Sequence, residues 1–586
     1  MMQELNTAQP FTQNGAYMRA PDDVMRLSQL GSFFPTRLSF LRLLLRDLAE
    51  DDANGIWTDW SMDDAGYGHA VYSVRLDGYV FSLIAHTAAL DADDRTDRVI
   101  AEAWDACFVL FDGVPNANDI ATLRAPALVQ EAGRFDDRVL VLSRANKSVR
   151  LFDHVVEKLA AGEQPDLDRV ATTGYLMRTT AVYGNGKFGI ADRSKVARNA
   201  GLARPFRLEM LTVYLIREFT FALAEHVASR HAGADCALAG PIKRMLGIGN
   251  STGLGMAPFL VNHPALLNAW VEAREQALAR VCAQENAEVA ASQAWPDLLD
   301  RAGHYLTAWK IPDKDEQERI GRLAQAFETA KPVFTAMVDQ PFPFAKIIDH
   351  ARSVSVDLEE LMIALALEPH GPLIDDLADT MSSDSGSILE PSQTLAELCA
   401  TLDTHYAWCD ADVFATPGAM TWYVSEEKSE PRFGVDGPHF SPHHRLPLDT
   451  ARQVVALRAD LEDWLNTSDA GETVAAFLCA HPQHRRVIQR VQLIATYPYG
   501  EIRDDLVSHR TRPIDMLRCK LSFFGADGFD PKSDRWTRVR LFAGAPCMDE
   551  LTGDTADAGF LFPARPDVLA GDCAEQTEDV SNPVPA

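Results

Sequence analysis

Gly247-Ile-Gly-Asn-Ser-Thr-Gly-Leu-Gly255 is the stretch on which the reading of this chain turns. A residue without a Cβ lets the backbone bend sharply and bring N–H groups close to an anion, and hydroxyls add further donors. Lys243 and Arg244 come just before it, and Asn262-His263-Pro264 afterwards reads as a helix start with proline at the first helical position. The run is therefore expected to be an anion-cradling turn in a helical setting. Gly249, Asn250, Ser251, Thr252 and Gly253 would bind the anion, with Lys243 and Arg244 as cations. The spacing Gly247-x-Gly249-x-x-x-Gly253 comes near a dinucleotide fingerprint, but no strand reads before it and no acidic residue closes a following strand. The Gly-Lys-Ser/Thr ending of a P-loop is missing too, so neither nucleotide motif is present.

On the N-terminal side, residues 206–229 are apolar at helical period but broken by Arg207, Glu209, Arg217, Glu218 and Glu225. A membrane span needs ~20 nearly uncharged residues, so this reads as a core helix. Before it, Gly184-Asn185-Gly186 is a hairpin signal, and Arg178 and Lys187 beside it are further candidate substrate-binding cations. Residues 139–142 read as a buried strand and 148–161 as a helix, and the turn Ser143-Arg-Ala-Asn-Lys-Ser148 between them, with Arg150 in the first helical turn, fits either an anion site or an N-cap by Ser148. Tyr72, Val74 and Leu76, then Tyr79, Phe81 and Leu83, alternate about Asp77-Gly78, which predicts a hairpin. Residues 36–48 read as a helix and 1–35 as an arm lying on the body.

Beyond the glycine run, the patterns predict helices from 264 to about 283, over 314–330 and over 448–465. Residues 382–393 are a low-complexity boundary and 405–447 a polar, aromatic loop region. Alternation over 517–523 and 538–541 predicts strands. The fold class is thus mixed α/β of the α+β kind, with a helix-dominated centre and small antiparallel β units near both ends. The expected division is an α/β unit over 1–165, a helical domain over 166–381, a C-terminal α+β domain over 394–555 and an acidic tail over 556–586.

Trp422–Gly434 gathers titratable groups between aromatics. Tyr423, Glu426, Glu427, Lys428 and Arg432 are candidates for proton transfer, because carboxylates beside cations can be tuned toward acid/base work. Further on, His439, His443 and His444 could ligate a metal with Asp436 or Asp449, although the spacing matches no motif with known mechanics. No serine-hydrolase elbow or zinc-peptidase motif is present.

Composition bounds the partners. The chain has 586 residues, 55 Lys+Arg against 84 Asp+Glu, and a net charge of −29. Such acidity disfavours nucleic acid and anionic lipid as partners. Nine scattered cysteines without a CxxC pair point to a reducing compartment. With no signal-peptide pattern at the start, a cytoplasmic, soluble protein is expected. The leading functional reading is an enzyme acting on a small carboxylate- or phosphate-bearing molecule by acid/base chemistry, with lyase, isomerase and oxidoreductase chemistry all open and no cofactor named by the residues. The alternatives are a metal-dependent enzyme using His439, His443 and His444, and a non-enzymatic interaction or regulatory protein. A homodimer is the base-rate expectation.

Overall fold

The computed structural model describes residues 18–557 apart from 31–33, 35, 52, 91–102, 130–136, 181–203, 253–262, 382–388, 410–419, 425–430, 436–449, 468–470, 504–514, 516–521 and 534–535. Its centre is a nine-stranded sheet in the order β1-β2-β3-β4-β5-β6-β7-β11-β10. The strands are β1 (Ile56–Met62), β2 (Gly68–Leu76), β3 (Tyr79–Thr87), β4 (Ala106–Asp112), β5 (Val139–Lys147), β6 (Tyr175–Thr179), β7 (Gly247–Thr252), β10 (Asp527–Ser533) and β11 (Trp536–Leu541). All neighbours are antiparallel except β6 and β7, which run parallel. A separate hairpin pairs β8 (Met420–Val424) with β9 (Pro431–Val435).

The Asp77-Gly78 turn forms as its residue types demand. Both residues take positive φ, 50° and 76°, the twist that joins two antiparallel strands without splaying them. The ladder then runs unbroken from Leu76↔Tyr79 out to Gly68↔Thr87.

One face of the sheet is covered by helix α1 (Arg207–Ala232), which touches β3 through β7. Its apolar residues go nearly all the way round, as befits a helix buried on most sides. Phe219 at its middle meets the rings of Trp57, Trp60 and Phe108. A second helical layer includes α2 (Pro264–Cys282), α3 (Lys314–Met337), α4 (Pro343–Val354) and α5 (Val356–Leu367). The predicted start at Pro264 is observed, and the 314–330 helix continues to Met337. Three more helices, α6 (Thr450–Leu465), α7 (Val474–Ala480) and α8 (Arg485–Ile494), follow in the C-terminal part, and α8 packs against α2. No helix among the described residues is long and apolar enough to cross a membrane.

Four expectations need correction. The glycine run is not a turn: residues 247–252 form β7 inside the sheet. In the 517–523 stretch, Ser522 and Phe523 lie in a helical turn that continues to Phe524, despite their strand-like alternation. The 405–447 region contains the β8–β9 hairpin. The N-terminal arm does more than lie on the body, because Arg19 is buried within it. Its guanidinium binds Glu275 at 2.8 Å, Glu359 at 3.1 Å and Glu360 at 3.2 Å, with Arg274 on Glu275 and Glu360. The Gly184-Asn185-Gly186 hairpin falls outside the described residues.

Candidate functional site

A strand this rich in glycine needs a reason, and its neighbours supply one. A Cβ on Gly247 would lie 2.4 Å from the carbonyl oxygen of Leu541 and 2.8 Å from the backbone nitrogen of Ala543, and one on Gly249 would meet the Tyr175 ring at 2.9 Å. The glycines therefore serve close approach between strands. Asn250 is buried, and its Nδ2 donates to the Thr179 carbonyl at 3.0 Å. Ser251 and Thr252 pair with Arg538 and Thr537 of β11.

Lys243 and Arg244 are committed to carboxylates, Lys243 to Glu225 at 2.8 Å and Arg244 to Glu550 at 3.1 Å. Arg178 is buried on β6 as the Cα partner of Gly249, with Arg540 partnering Gly249 from the other side. The sheet thus brings Arg178, Gly249 and Asn250 onto adjacent strands. Tyr423 and Arg432 are Cα partners in the β8–β9 hairpin. Glu426, Glu427, Lys428, Lys187, Gly253, His439, His443 and His444 lie outside the described residues.

The sheet face turned away from α1 carries a row of titratable side chains, of which the sequence reading pointed to Arg178 and the stretch around Arg144 but not to the histidines. The chain of Cα partners runs from His69 to His86 to Cys107 to Arg144 across β2, β3, β4 and β5. Cross-strand partners share a face, and Cys107 belongs to the smaller apolar cluster of Val71, Ile84, Val109 and Phe111 on that outer side. Arg178 partners Asn146, two residues along β5 from Arg144, and so continues the same face.

His86 is fully buried, and among the described residues neither of its ring nitrogens has a hydrogen-bond partner. Burial pushes its imidazole down to about 4, with His69 and Arg124 adding repulsion, so it is neutral at pH 7. The His69 ring lies 6.2 Å away, centroid to centroid, with its Nε2 2.9 Å from Asp59 Oδ2, and both of these side chains reach solvent. On the other side of Cys107 the Arg144 guanidinium sits 4.6 Å from the Trp104 ring, whose buried Nε1–H also lacks a partner among the described residues. Two partnerless buried groups and an Asp–His pair therefore share one face. Native proteins leave few such groups unsatisfied, and each calls for an explanation.

A second constellation lies in the C-terminal helices. Among the described residues, Asp460, His481 and His484 form the one group of three whose side-chain donors all fall within 4.8 Å of one another. Asp460 Oδ2 is 2.6 Å from His484 Nε2 and 3.4 Å from His481 Nδ1. The cluster's signal in sequence is His481-Pro-Gln-His484, sparser than the histidines at 439–444.

Compared with known proteins, the chain matches no family model, no curated protein and no solved structure.

Proposed function

We propose that the protein is an enzyme that acts on a small anionic molecule by acid/base chemistry on the outer face of the nine-stranded sheet. The observation that carries this reading is His86, fully buried beside the Asp59–His69 pair with neither ring nitrogen partnered among the described residues. A neutral imidazole offers one N–H and one lone pair. In a dry site that N–H can polarise a carbonyl or carboxylate oxygen of a substrate without carrying charge itself.

His69 is placed to move the proton. Asp59 at its Nε2 orients the ring, leaves Nδ1 for the substrate and offsets the positive charge that develops when the proton arrives. Arg144 and Arg178 on the same face supply positive charge for the anionic group, and the net charge of −29 elsewhere would focus an anion onto that patch. Of the residues expected from sequence, this reading keeps Arg178 and Gly249, and moves proton transfer from the Tyr423–Arg432 segment to His69 and His86.

The test is a thermal-shift screen of inorganic phosphate and short mono- and dicarboxylates against the wild type and the variants His86→Phe and His69→Ala. A ligand at a hundred times its dissociation constant stabilises by ~2.7 kcal/mol. At least one anion should raise the wild-type Tm and fail to raise that of His86→Phe. Equal shifts in all three proteins would reject the site.

A further inference from the structure

The cluster of Asp460, His481 and His484 is made by three separate pieces of backbone. Asp460 projects from α6, His481 ends α7, and His484 closes the 3-10 turn Pro482–His484 that leads into α8. The ring planes are held by neighbours on either side. Phe477, fully buried, stacks on His481 with centroids 4.6 Å apart at 16° and lies near His484 at 5.9 Å and 17°. Trp464 meets His481 edge-on at 5.7 Å. Two imidazoles so fixed turn Nδ1 of one and Nε2 of the other toward a single carboxylate oxygen.

We propose that Asp460, His481 and His484 form a binding site for a divalent transition-metal ion of the zinc class. Two imidazoles and a carboxylate are a donor set that such ions prefer, and donors about 2.0–2.1 Å from a tetrahedral ion stand roughly 3.3 Å from each other. The His481–Asp460 separation of 3.4 Å already has that value. The His484–Asp460 separation of 2.6 Å is a hydrogen bond, whose proton an ion would displace as the two atoms open to roughly 3.3 Å. Three protein ligands leave a fourth position for water on the solvent side, where Asp460 and His481 are 37% and 26% exposed. Gln483, whose Nε2 lies 3.3 Å from Asp460 Oδ2, is placed to steady the carboxylate in the second sphere. This site shares no residue with the sheet-face site, so either can fail without the other.

The experiment uses the full chain stripped with a chelator, titrated with Zn2+ in competition with a chromophoric chelator, and separately with Co2+. Wild type should take up one Zn2+, and Co2+ should give the visible absorption of a tetrahedral nitrogen/oxygen site. His481→Ala and Asp460→Asn should each weaken zinc binding by at least about 100-fold while their metal-free circular dichroism and Tm match wild type. Absence of stoichiometric zinc from wild type overturns the proposal. Unchanged affinity in both variants, or loss of the ion on replacing His439, His443 and His444 instead, overturns it equally.

Discussion

Arg217 donates to the carbonyl of Pro546 at 3.1 Å across 329 residues of sequence. The same guanidinium reaches the carbonyls of Ala545 at 2.8 Å, Lys243 at 2.9 Å and Leu246 at 2.8 Å. One fully buried cation at the middle of α1 therefore holds both the lead-in to β7 and the segment after β11. It shares the Pro546 carbonyl with the Tyr214 hydroxyl and the Lys243 carbonyl with the Leu246 N–H, and donates besides to the carbonyls of Ala545 and Leu246.

Replacing Arg217 by methionine keeps the bulk and removes every one of those donors. The carbonyls of Pro546 and Lys243 keep a donor, while those of Ala545 and Leu246 lose this one at about 1–3 kcal/mol each, so Arg217→Met should lose at least about 2 kcal/mol of stability. A urea midpoint within experimental error of wild type, at unchanged m-value, would show that the clamp is dispensable.

The two close glycines of β7 should differ in cost. A methyl at Gly247 meets backbone atoms of Leu541 and Ala543, which move only if β11 moves, whereas at Gly249 it meets the Tyr175 ring, which is a side chain. Overpacking costs about 1–3 kcal/mol, with Gly247→Ala at the upper end and Gly249→Ala at the lower. Chemical denaturation of the pair checks the order, and a reversed order would contradict the close-approach explanation.

The hairpin was legible in sequence because a two-residue turn and its alternating flanks are local. Counting outward from Asp77-Gly78 even places His69 opposite His86, so half of the outer-face row could have been read in advance. The glycine run was misread for the opposite reason. Its strand partner β11 lies at the other end of the chain, and nothing near residue 247 announces it. Local glycine density speaks equally of a turn and of strands in close contact, and only the tertiary partner decides. Asp460 and His481 were hidden in the same way, since the approach of α6 to the α7–α8 junction has no local signature.

His86 and Glu218 should give stability opposite dependences on pH. Burial holds the folded His86 at about 4, below the ordinary value of 6.5, so the unfolded chain binds the proton more readily. Its contribution is complete above pH 6.5 and is lost as pH falls toward 4, by roughly 3 kcal/mol. His86→Leu should remove that part of the acid-side slope. Curves for wild type and variant that stay parallel between pH 4 and 6.5 would contradict the buried neutral state.

Glu218 sits beside Arg217 with its Oε2 near the Met548 N–H at 3.4 Å, and burial raises its carboxyl to about 7. Here the folded state holds the proton more tightly. The benefit is complete below pH 4.5 and is lost as pH rises through 7, again by roughly 3 kcal/mol. Glu218→Gln should therefore match wild type near pH 5 and exceed it by about 2–3 kcal/mol at pH 8. A stability difference that does not change with pH would show that the carboxyl is not buried as described.

The outer-face site is tested most directly at the imidazoles themselves. With histidine ring nitrogens labelled with 15N, the anion that raises the wild-type Tm would be titrated at pH 7 and the His69 and His86 resonances followed by NMR. The predicted result is a saturable shift of the His86 nitrogens in the neutral form, accompanied by His69, with His481 and His484 unmoved. Saturation of the ligand with His86 unchanged would contradict the account and place the binding site elsewhere.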